Sequence, residues 1–445
     1  MKLKGILFPV FLAVVGTVGG LNVSAEEMSA TGIKPKNIIF MIGDGMGPNY
    51  LAAYRYFKHG DSVVDSVNAT IFDEHWVGVA KTYPHDETIV TDSAASGTAL
   101  STGVKTYNGA VGVGTDQQSL ATWFELAKRE GKSTGLAVSS PVTHATPASF
   151  YAHQKKRNPQ EPIADDFIDN KVNNQFVVDV AFGGGTDFFI RKDRDVVSEL
   201  QKSGFNYIDD IEKLGTLTDM PVLGLFGAYG LPSAIERDTA SLAKMTNTAL
   251  RLLSKNEKGF VLMVEGSQID WCGHANDIAC AMAEMQDFEN AVESVMAFAK
   301  NDGNTLVVIT ADHETGGLSI SADEASIWKP SVIKRVHISA ATLAKNMKVT
   351  DGSKEQIESA WSKHIYFNLQ KKELDALVAA HSINEDAIAW VIKGVINTRS
   401  STGWTTVKHT ALDVPVMAFG VGSERFRGVM ENTYIGQTLH ALVKP

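Results

Sequence analysis

The chain has 445 residues, of which 44% are hydrophobic and 21% are charged, and this composition excludes a disordered or low-complexity protein. Such a length is enough for one elaborated domain or for two. Residues 1–25 carry two lysines and no acidic residue, so without them the formal charge of −10 becomes −12, and a surface this acidic argues against nucleic acid as a partner.

The chain begins with a segment that is typical of an export signal. Lys2 and Lys4 precede an apolar stretch, and Val23-Ser24-Ala25 supplies the small residues of a cleavage site. We therefore expect residues 1–25 to be removed, leaving a periplasmic or secreted protein that has no contact with the membrane. A retained membrane anchor is the weaker alternative, because the apolar stretch is short and Pro9 interrupts it.

Short apolar segments predict buried strands along the rest of the chain. They are NIIFMIG at 37, TGLAVSS at 134, VVDVAFGGG at 177, GFVLMVEG at 259, NTLVVITAD at 304 and VPVMAFGVG at 414. Helical stretches such as SLATWFELAKREG lie between them and end at a glycine. The alternation predicts an α/β fold with a large, mostly parallel central sheet that helices flank on both faces. Residues 320–405 show helical patterns without a strong strand, which predicts an inserted helical cap, or crown, over one edge of the sheet.

The chain has only two cysteines, Cys272 and Cys280, so it is not a disulfide framework. If both lay on one helix, their separation of eight residues would span about 12 Å, which is too far for a disulfide. An exported protein is able to form disulfides, so pairing stays open, but the helical pattern favours free thiols.

Asp44 lies in NIIFMIGDGMG, where glycines at 43, 45 and 47 surround it at the end of a predicted strand. A dinucleotide-binding fingerprint needs its third glycine three residues after the second, so this spacing excludes one. The small neighbours would let another backbone or an ion come close to the carboxylate. Because an unpaired charge beside a buried strand is costly, Asp44 needs a cation or a strong partner.

Further carboxylates and imidazoles follow other predicted strands. The carboxyl ends of parallel strands meet at one edge of a sheet, so we expect these side chains to converge. A single histidine is more often an ordinary hydrogen-bonded residue than a ligand, but a converging set of nitrogen and oxygen ligands suits zinc. The candidates are, in chain order, Glu265, Asp270, His274, Asp312, His313 and His409.

Ser93 lies in TDSAASGTALSTG, at the start of a predicted helix of small residues. The backbone N–H groups and the dipole at a helix N-terminus stabilise an anion, which would suit a nucleophile that attacks an anionic substrate. The simpler interpretation is that Asp92 or Ser93 caps the helix. The segment alone favours the cap.

The chain resembles the bacterial alkaline phosphatases. DGMG, TDSAASGTALSTGVKTYNGAVGV, THATPASFYAH, the EGxxIDxxxH pattern in VEGSQIDWCGH, TADHETGG and KHT occur in that family's order and cover essentially all of residues 26–445. The resemblance implies one catalytic domain over residues 26–445 and a homodimer. It also implies hydrolysis of small-molecule phosphate monoesters, with a phosphoserine intermediate on Ser93.

The resemblance also implies two zinc ions and one magnesium ion per chain. Arg157 would bind the phosphate, an assignment that rests on its spacing from His144, and the first zinc would activate Ser93. The implied ligands are Asp44, Asp312 and His313 for the first zinc, Asp270, His274 and His409 for the second zinc, and Asp44, Thr146 and Glu265 for magnesium.

Two residues depart from the enterobacterial pattern. His144 stands where those enzymes have an aspartate, and it becomes a further candidate ligand at the third metal site. Trp271 stands where they have a lysine. Both departures leave the occupancy of the magnesium site and the binding of phosphate open.

Two other functions stay open. The first is another hydrolase of the same superfamily, a phosphodiesterase or a sulfatase. The Cys/Ser-x-Pro-x-Arg motif of sulfatases does not occur around Ser93, and diesterases usually use threonine as nucleophile. The second is a metal-binding or phosphate-binding protein without turnover, which would have no use for an activated serine.

Overall fold

A ten-stranded sheet lies at the centre of the computed structural model, which describes residues 34–61, 67–322 and 326–444. The predicted signal peptide lies outside the described residues. The strands are β1 (Asn37–Gly43), β2 (Trp76–Lys81), β3 (Ser133–Pro141), β4 (Lys171–Val172), β5 (Gln175–Phe176), β6 (Val180–Gly184), β7 (Asn206–Ile208), β8 (Val222–Leu225), β9 (Phe260–Gly266), β10 (Thr305–Thr310), β11 (Glu314–Thr315), β12 (Leu318–Ile320), β13 (Thr402–Trp404), β14 (His409–Thr410), β15 (Val414–Gly420) and β16 (Gly428–Glu431).

Helices flank this sheet, as the sequence predicts. The helices are α1 (Pro48–His59), α2 (Ile71–His75), α3 (Ser93–Thr102), α4 (Trp123–Arg129), α5 (Ala145–Ala148), α6 (Glu161–Asp169), α7 (Thr186–Phe189), α8 (Val196–Lys202), α9 (Ser241–Leu253), α10 (Gln268–Ala275), α11 (Ile278–Asp302), α12 (Pro330–Ile333), α13 (Ala340–Lys348), α14 (Lys354–Ser362), α15 (Lys371–His381), α16 (Glu385–Ser400) and α17 (Asn432–Val443). No helix among the described residues is both long enough and apolar enough to cross a membrane.

The strand order across the sheet is β16-β2-β15-β10-β1-β9-β3-β6-β8-β7. Only β15 runs antiparallel, to both β10 and β2. Every residue of β1, β3, β9 and β10 is buried, which requires cover on both faces of the sheet and explains their continuous apolar sequences. The predicted fold class is confirmed, and each of the six predicted strands is present.

The register of the central strands brings their carboxyl ends to the same level. Gly43 at the end of β1 lies opposite Gly266 at the end of β9, and Ile42 lies opposite Thr310 at the end of β10. Val138 of β3 lies opposite Glu265 of β9. The polar residues that follow these strands therefore meet at one edge of the sheet.

The segment predicted to be an inserted cap leaves and rejoins the fold at one place. Strands β12 and β13 pair antiparallel, with Leu318 opposite Trp404 and Ile320 opposite Thr402. Between them the described residues form the five helices α12 to α16. The role of this segment as a cap stays a prediction.

The expectation of free thiols is wrong, because Cys272 and Cys280 form a disulfide with their Cα atoms 5.5 Å apart. The two cysteines lie on different helices, α10 and α11. Asn276 has a left-handed backbone conformation with φ 53° and ends α10, and Asp277 accepts a hydrogen bond from the N–H of Cys280 to begin α11. This turn folds the chain back, so the distance along a continuous helix does not apply.

Candidate active site

The carboxyl ends of the four central strands carry a set of buried ionisable residues. Asp44 follows β1, Glu265 is the next-to-last residue of β9, and Asp312 and His313 follow β10. His144 follows β3 and is 7% exposed, whereas the other four are fully buried. The predicted convergence of these side chains is present in the structure.

Two of the glycines around Asp44 make room for neighbouring segments of the chain. Gly45 has φ +71°, and a Cβ atom there would lie 2.9 Å from the Cα atom of Asp270. A Cβ atom on Gly47 would lie 2.0 Å from Cγ of Glu314. Because these glycines have no side chain, the segments that carry Asp270 and Glu314 can pack closely against the loop that carries Asp44.

A first cluster consists of Asp270, His274 and His409. The Nε2 atoms of the two histidines face each other at 3.1 Å. Nδ1 of His274 lies 2.8 Å from the Val407 carbonyl, and Nδ1 of His409 lies 2.9 Å from the Thr91 carbonyl. Because a carbonyl only accepts, each neutral ring carries its proton on Nδ1 and turns the lone pair of Nε2 towards the other ring.

Asp270 completes this cluster, since its Oδ1 atom lies 3.4 Å from Nε2 of His274 and 3.6 Å from Nε2 of His409. Three acceptor atoms thus converge on one point. Lone pairs in this arrangement repel each other unless a proton or a cation lies between them. The nitrogen and oxygen ligand set fits a divalent transition metal such as zinc.

A second cluster consists of Asp44, Asp270 and His313, so Asp270 lies beside both clusters. Nε2 of His313 lies 3.4 Å from Oδ1 of Asp44 and 3.3 Å from Oδ2 of Asp312, the third residue of the predicted ligand set. Oδ1 of Asp312 accepts from the N–H of Gly45 at 3.1 Å. Its Oδ2 atom and both carboxylate oxygens of Asp44 are buried and accept no hydrogen bond from the described residues.

Thr315, which the sequence did not single out, sets the protonation of His313. The Thr315 hydroxyl donates to Oδ1 of Asp270 at 2.5 Å, and its oxygen lies 3.2 Å from Nδ1 of His313. The single hydroxyl proton points to Asp270, so Nδ1 of His313 donates to Thr315 and Nε2 keeps its lone pair. Burial lowers the pKa of His313 well below its usual value and keeps the ring neutral.

A third cluster consists of Asp44, His144 and Glu265. Both carboxylate oxygens of Glu265 and the hydroxyl of Thr146 are buried without a hydrogen-bond partner among the described residues. Burial, followed by the charge of Asp312, raises the pKa of Glu265 to about 8. Oxygen atoms of this kind fit magnesium, which prefers oxygen ligands.

His144 has a different protonation in this cluster. Its Nε2 atom lies 3.1 Å from Nη2 of Arg157, and a guanidinium only donates, so Nε2 accepts. The proton of the neutral ring then lies on Nδ1, which is 4.0 Å from Oδ2 of Asp44. In this arrangement His144 is a donor towards the third cluster. The role of His144 as a metal ligand stays a prediction. To bind a metal through Nδ1, the neutral ring would have to carry its proton on Nε2, and Nε2 could then no longer accept from Arg157.

Burial and charge together disfavour an ionised Asp44 in the protein alone. Burial raises its pKa well above the usual value, and the charges of Asp312, Asp270 and Glu265 raise it further. A divalent cation beside Asp44 would remove this penalty, because it would supply the missing positive charge. The ligand atoms and the negative charge of the three clusters therefore suit divalent cations.

Ser93 is the first residue of α3 and is 2% exposed. The side chain of Asp92 caps the helix by accepting from the N–H of Ala95 at 2.9 Å, which leaves the Ser93 hydroxyl free of that task. Oγ of Ser93 lies 3.1 Å from Nε2 of His313. The serine therefore lies beside the second cluster, at the positive end of a helix dipole.

Arg157 reaches the residue that directly precedes Ser93. Its Nη1 atom is 3.2 Å from Oδ2 of Asp92, and its Nη2 atom faces His144. The neighbouring Lys155 and Lys156 are exposed, whereas Arg157 is half-buried. The geometry therefore favours Arg157 over the two lysines as the cation that reaches the site.

Sequence reasoning missed several supporting groups. Thr315 is one of them, and its place in TADHETGG is a signal that points to it. Asp92 was considered only as a helix cap, which it is, and its contact with Arg157 was missed. The backbone carbonyls of Val407 and Thr91 orient the rings of His274 and His409. The sequence gives no indication of this role, because every residue carries a carbonyl.

A buried serine beside clustered carboxylates and imidazoles, at the carboxyl edge of an α/β sheet, defines a metal-binding hydrolase. A sequence profile described as alkaline phosphatase matches residues 35–444. Alkaline phosphatase 3 of Bacillus subtilis (strain 168) is 46% identical over 411 residues, which are 91% of this chain and 88% of the relative.

Solved structures agree with this match. The crystal structure of a cold-active alkaline phosphatase from the psychrophile Shewanella sp. has 42% identity and a TM-score of 0.87, and the alignment covers 92% of this chain and 100% of that one. Alkaline phosphatase from the Antarctic bacterium TAB5 has 30% identity and a TM-score of 0.69, with 92% and 98% covered. Two variants of that enzyme, in which aspartate or glutamate replaces a histidine, have magnesium bound in a site named M3.

The chain therefore belongs to the alkaline phosphatase family, and its enzyme class is that of the phosphatases. The resemblance that the motifs indicate is confirmed.

Proposed function

We propose that this protein is an exported phosphomonoesterase that hydrolyses small-molecule phosphate monoesters through a phosphoserine on Ser93, with two zinc ions and one magnesium ion bound per chain. The observation that carries the proposal is the position of the Ser93 hydroxyl. It is buried, it lies 3.1 Å from the unprotonated Nε2 of His313, and Asp92, the residue directly before it, pairs with Arg157 at 3.2 Å.

The three clusters divide the proposed ligands. His274, His409 and Asp270 would hold one zinc, and Asp44, Asp312 and His313 would hold the other. Asp44, Thr146 and Glu265 would hold magnesium, with His144 beside them. Bound there, divalent cations supply positive charge where negative charge develops on the phosphoryl group, and they make a hydroxyl more acidic.

The remaining steps belong to the residues of the chain. Arg157, which Asp92 holds by an ion pair at 3.2 Å, would bind phosphate oxygens with its planar guanidinium. Oγ of Ser93 would lose its proton and bond to phosphorus while the ester bond breaks and the alcohol leaves with a proton. Water would then attack phosphorus, the bond to Oγ would break, and Ser93 would regain its proton as inorganic phosphate leaves.

Replacing Ser93 tests this proposal. We expect Ser93→Ala to lower kcat for p-nitrophenyl phosphate by at least about a thousandfold, because the covalent route is lost. Ser101→Ala is the matched control, since Ser101 is buried in the same helix and its hydroxyl donates to the Thr98 carbonyl of that helix, so turnover by this variant should be that of the wild type. Substantial turnover by Ser93→Ala would show that no phosphoserine is needed.

Labelling and metal content separate the remaining alternatives. Single-turnover labelling at acid pH should leave one phosphate on Ser93 in the wild type and none in Ser93→Ala. A binding protein without turnover would show no covalent label. A phosphodiesterase or a sulfatase would prefer bis-p-nitrophenyl phosphate or p-nitrophenyl sulfate to the monoester. Purified protein without zinc that is nevertheless fully active would contradict the proposed ligand sets.

Export and dimerisation are part of the same proposal. The intact mass of the protein recovered outside the cytoplasm should lack residues 1–25. Light scattering during size-exclusion chromatography should give the mass of two chains, and a variant without residues 320–405 tests whether the predicted cap contributes to the dimer. A mature mass that includes residues 1–25 would contradict removal of the signal peptide.

A further inference from the structure

A row of aromatic rings begins at His144 and leads away from the candidate active site. The ring centroids of His144 and Trp271 are 6.1 Å apart, those of Trp271 and Tyr229 are 5.5 Å apart, and those of Tyr229 and Phe188 are 5.9 Å apart. Trp271 directly follows Asp270, a proposed metal ligand. The steps of the proposed reaction use none of the rings of Trp271, Tyr229 and Phe188, which we call the aromatic row.

The aromatic row is accessible. Tyr229 is 46% exposed, and Trp271 and Phe188 are each half-buried. A contiguous group of partly exposed aromatic side chains beside a polar site is suited to contact a ligand. The aromatic row therefore offers an apolar, aromatic surface that adjoins a strongly polar site.

The rings are also held in place. A Cβ atom on Gly230 would lie 2.7 Å from Cη2 of Trp271, so the glycine leaves the room that the indole occupies. The hydroxyl of Tyr229 accepts from Nε2 of Gln160 at 3.4 Å, and Oε1 of Gln160 accepts from the Thr143 hydroxyl at 2.7 Å. The aromatic row thus has a defined position before a substrate binds.

These contacts tie the aromatic row to the groups that would hold phosphate. Gln160 is buried and lies three residues after Arg157, and Thr143 directly precedes His144. His144 has the Arg157 guanidinium on one side and the Trp271 ring on another. An ester bound with its phosphate at Ser93 and Arg157 would have its alcohol portion outside the buried clusters, and the aromatic row is the apolar surface next to them.

We propose that the aromatic row is a subsite for the alcohol portion of the substrate and that it selects phosphate esters of aromatic alcohols over those of aliphatic alcohols. This inference rests on the proposed function. Contact between aromatic rings is favourable beyond the area that it buries, and an aliphatic alcohol does not gain this contribution.

The test compares benzyl phosphate with ethyl phosphate, whose leaving alcohols have similar basicity, so the ratio of their kcat/KM values reports the ring. Tyr229→Ala should lower the benzyl-to-ethyl ratio by about threefold to tenfold. Tyr229→Phe keeps the ring and should keep the ratio. Tyr366→Ala is the matched control, because Tyr366 is 61% exposed and its ring contacts His337 in the segment between β12 and β13. An unchanged ratio in Tyr229→Ala, or an equal fall in Tyr366→Ala, would overturn the proposal.

Inhibition constants give a second readout that does not depend on turnover. Phenylphosphonate should bind the wild type more tightly than ethylphosphonate, and Tyr229→Ala and Phe188→Leu should each reduce this preference. If one variant does not fold, which its far-ultraviolet circular dichroism would show, the other still tests the subsite. Wild-type enzyme with no such preference, but with Ser93-dependent turnover, would refute the subsite and leave the proposed function intact. Loss of the Ser93 dependence would refute the proposed function itself.

Discussion

Two groups of buried carboxylates in this protein are equally buried but have opposite surroundings. Asp44 and Glu265 at the candidate active site are 0% exposed, and their oxygens accept no hydrogen bond from the part of the chain that the structure describes. Glu284 and Asp287 on α11 are 2% and 1% exposed, and Arg237 pairs with them at 3.2 and 2.9 Å. Two backbone N–H groups donate to the same pair.

This difference in partners distinguishes a site that binds cations from solution from a network of ion pairs that stabilises the fold. Burial raises the pKa of Glu265 to about 8 and that of Glu284 to about 7, so a raised pKa by itself does not tell the two apart. The partners do, because a buried charge is stable only when something pairs with it. The chain supplies a guanidinium to Glu284 and Asp287, whereas it leaves Asp44 and Glu265 for cations from solution.

Among the substitutions that test this distinction, Asp44→Asn should have the largest effect, on metal content and on kcat. An amide of the same shape removes one negative charge from two of the proposed metal sites, so we expect metal content to fall and kcat to drop by at least about a hundredfold. The metal-free variant should be no less stable than the metal-free wild type, because the amide is uncharged. Plasma mass spectrometry, turnover of p-nitrophenyl phosphate and urea unfolding in a chelator measure these three quantities.

Asp287→Asn is the control for that experiment, since it makes the same substitution at a residue with the same burial. It should keep metal content and turnover and should lose stability, because it weakens the pairing with Arg237. If both variants lost metal to the same extent, the distinction between the two groups of carboxylates would be wrong.

Arg237→Met should have the next largest effect, on stability rather than on activity. It leaves Glu284 and Asp287 buried without their cation, which should lower the free energy of unfolding by about 3–5 kcal/mol. Lys244→Met removes an exposed cation whose side chain is 42% exposed and pairs with Asp238 at 3.1 Å, and it should cost at most about 1 kcal/mol. Equal losses in urea unfolding would mean that the Arg237 network is no more stabilising than a surface pair.

His153→Gln should have the smallest effect and should depend on pH. Nε2 of His153 lies 3.0 Å from Oε1 of Glu125, and Nδ1 lies 2.7 Å from the Gly112 carbonyl, so both ring nitrogens face acceptors. Burial opposes the charge of the ring, but the hydrogen bond and the charge of Glu125 outweigh it, and the pKa of His153 is raised. Glu125 is thus another buried carboxylate whose cation comes from the chain itself, but this cation, the His153 imidazolium, loses its charge as the pH rises.

A raised pKa in the folded protein adds stability that is complete below the usual histidine value of about 6.5 and is lost as the pH rises through the folded value. The variant should therefore be less stable than the wild type by about 1–2 kcal/mol near pH 6, and the difference should shrink towards alkaline pH. Urea unfolding across this range measures it, with exposed His85→Gln as the control. A difference that does not change with pH would show that His153 carries no charge.

Much of the fold follows from local patterns. Each of the six apolar runs became a strand, because a buried parallel strand needs apolar residues on both faces. Of the ten strands in the central sheet, β2, β7, β8 and β16 were not predicted. The first has a mixed burial pattern and the other three are four residues or shorter, so none has a periodicity long enough to recognise. The disulfide was missed because a single turn at Asn276 divides one apparent helix into two.

The sequence by itself determined that carboxylates such as Asp44 and Asp312 lie at the ends of buried strands, because burial is encoded by neighbours a few residues away. Only the tertiary structure decided which of these carboxylates have partners. His409 reaches His274 from 135 residues away, and Asp270 comes close to Asp44 through the space at Gly45. The aromatic row likewise joins three separate segments. Such contacts depend on strand order, register and turns, which bring together side chains that no local pattern relates.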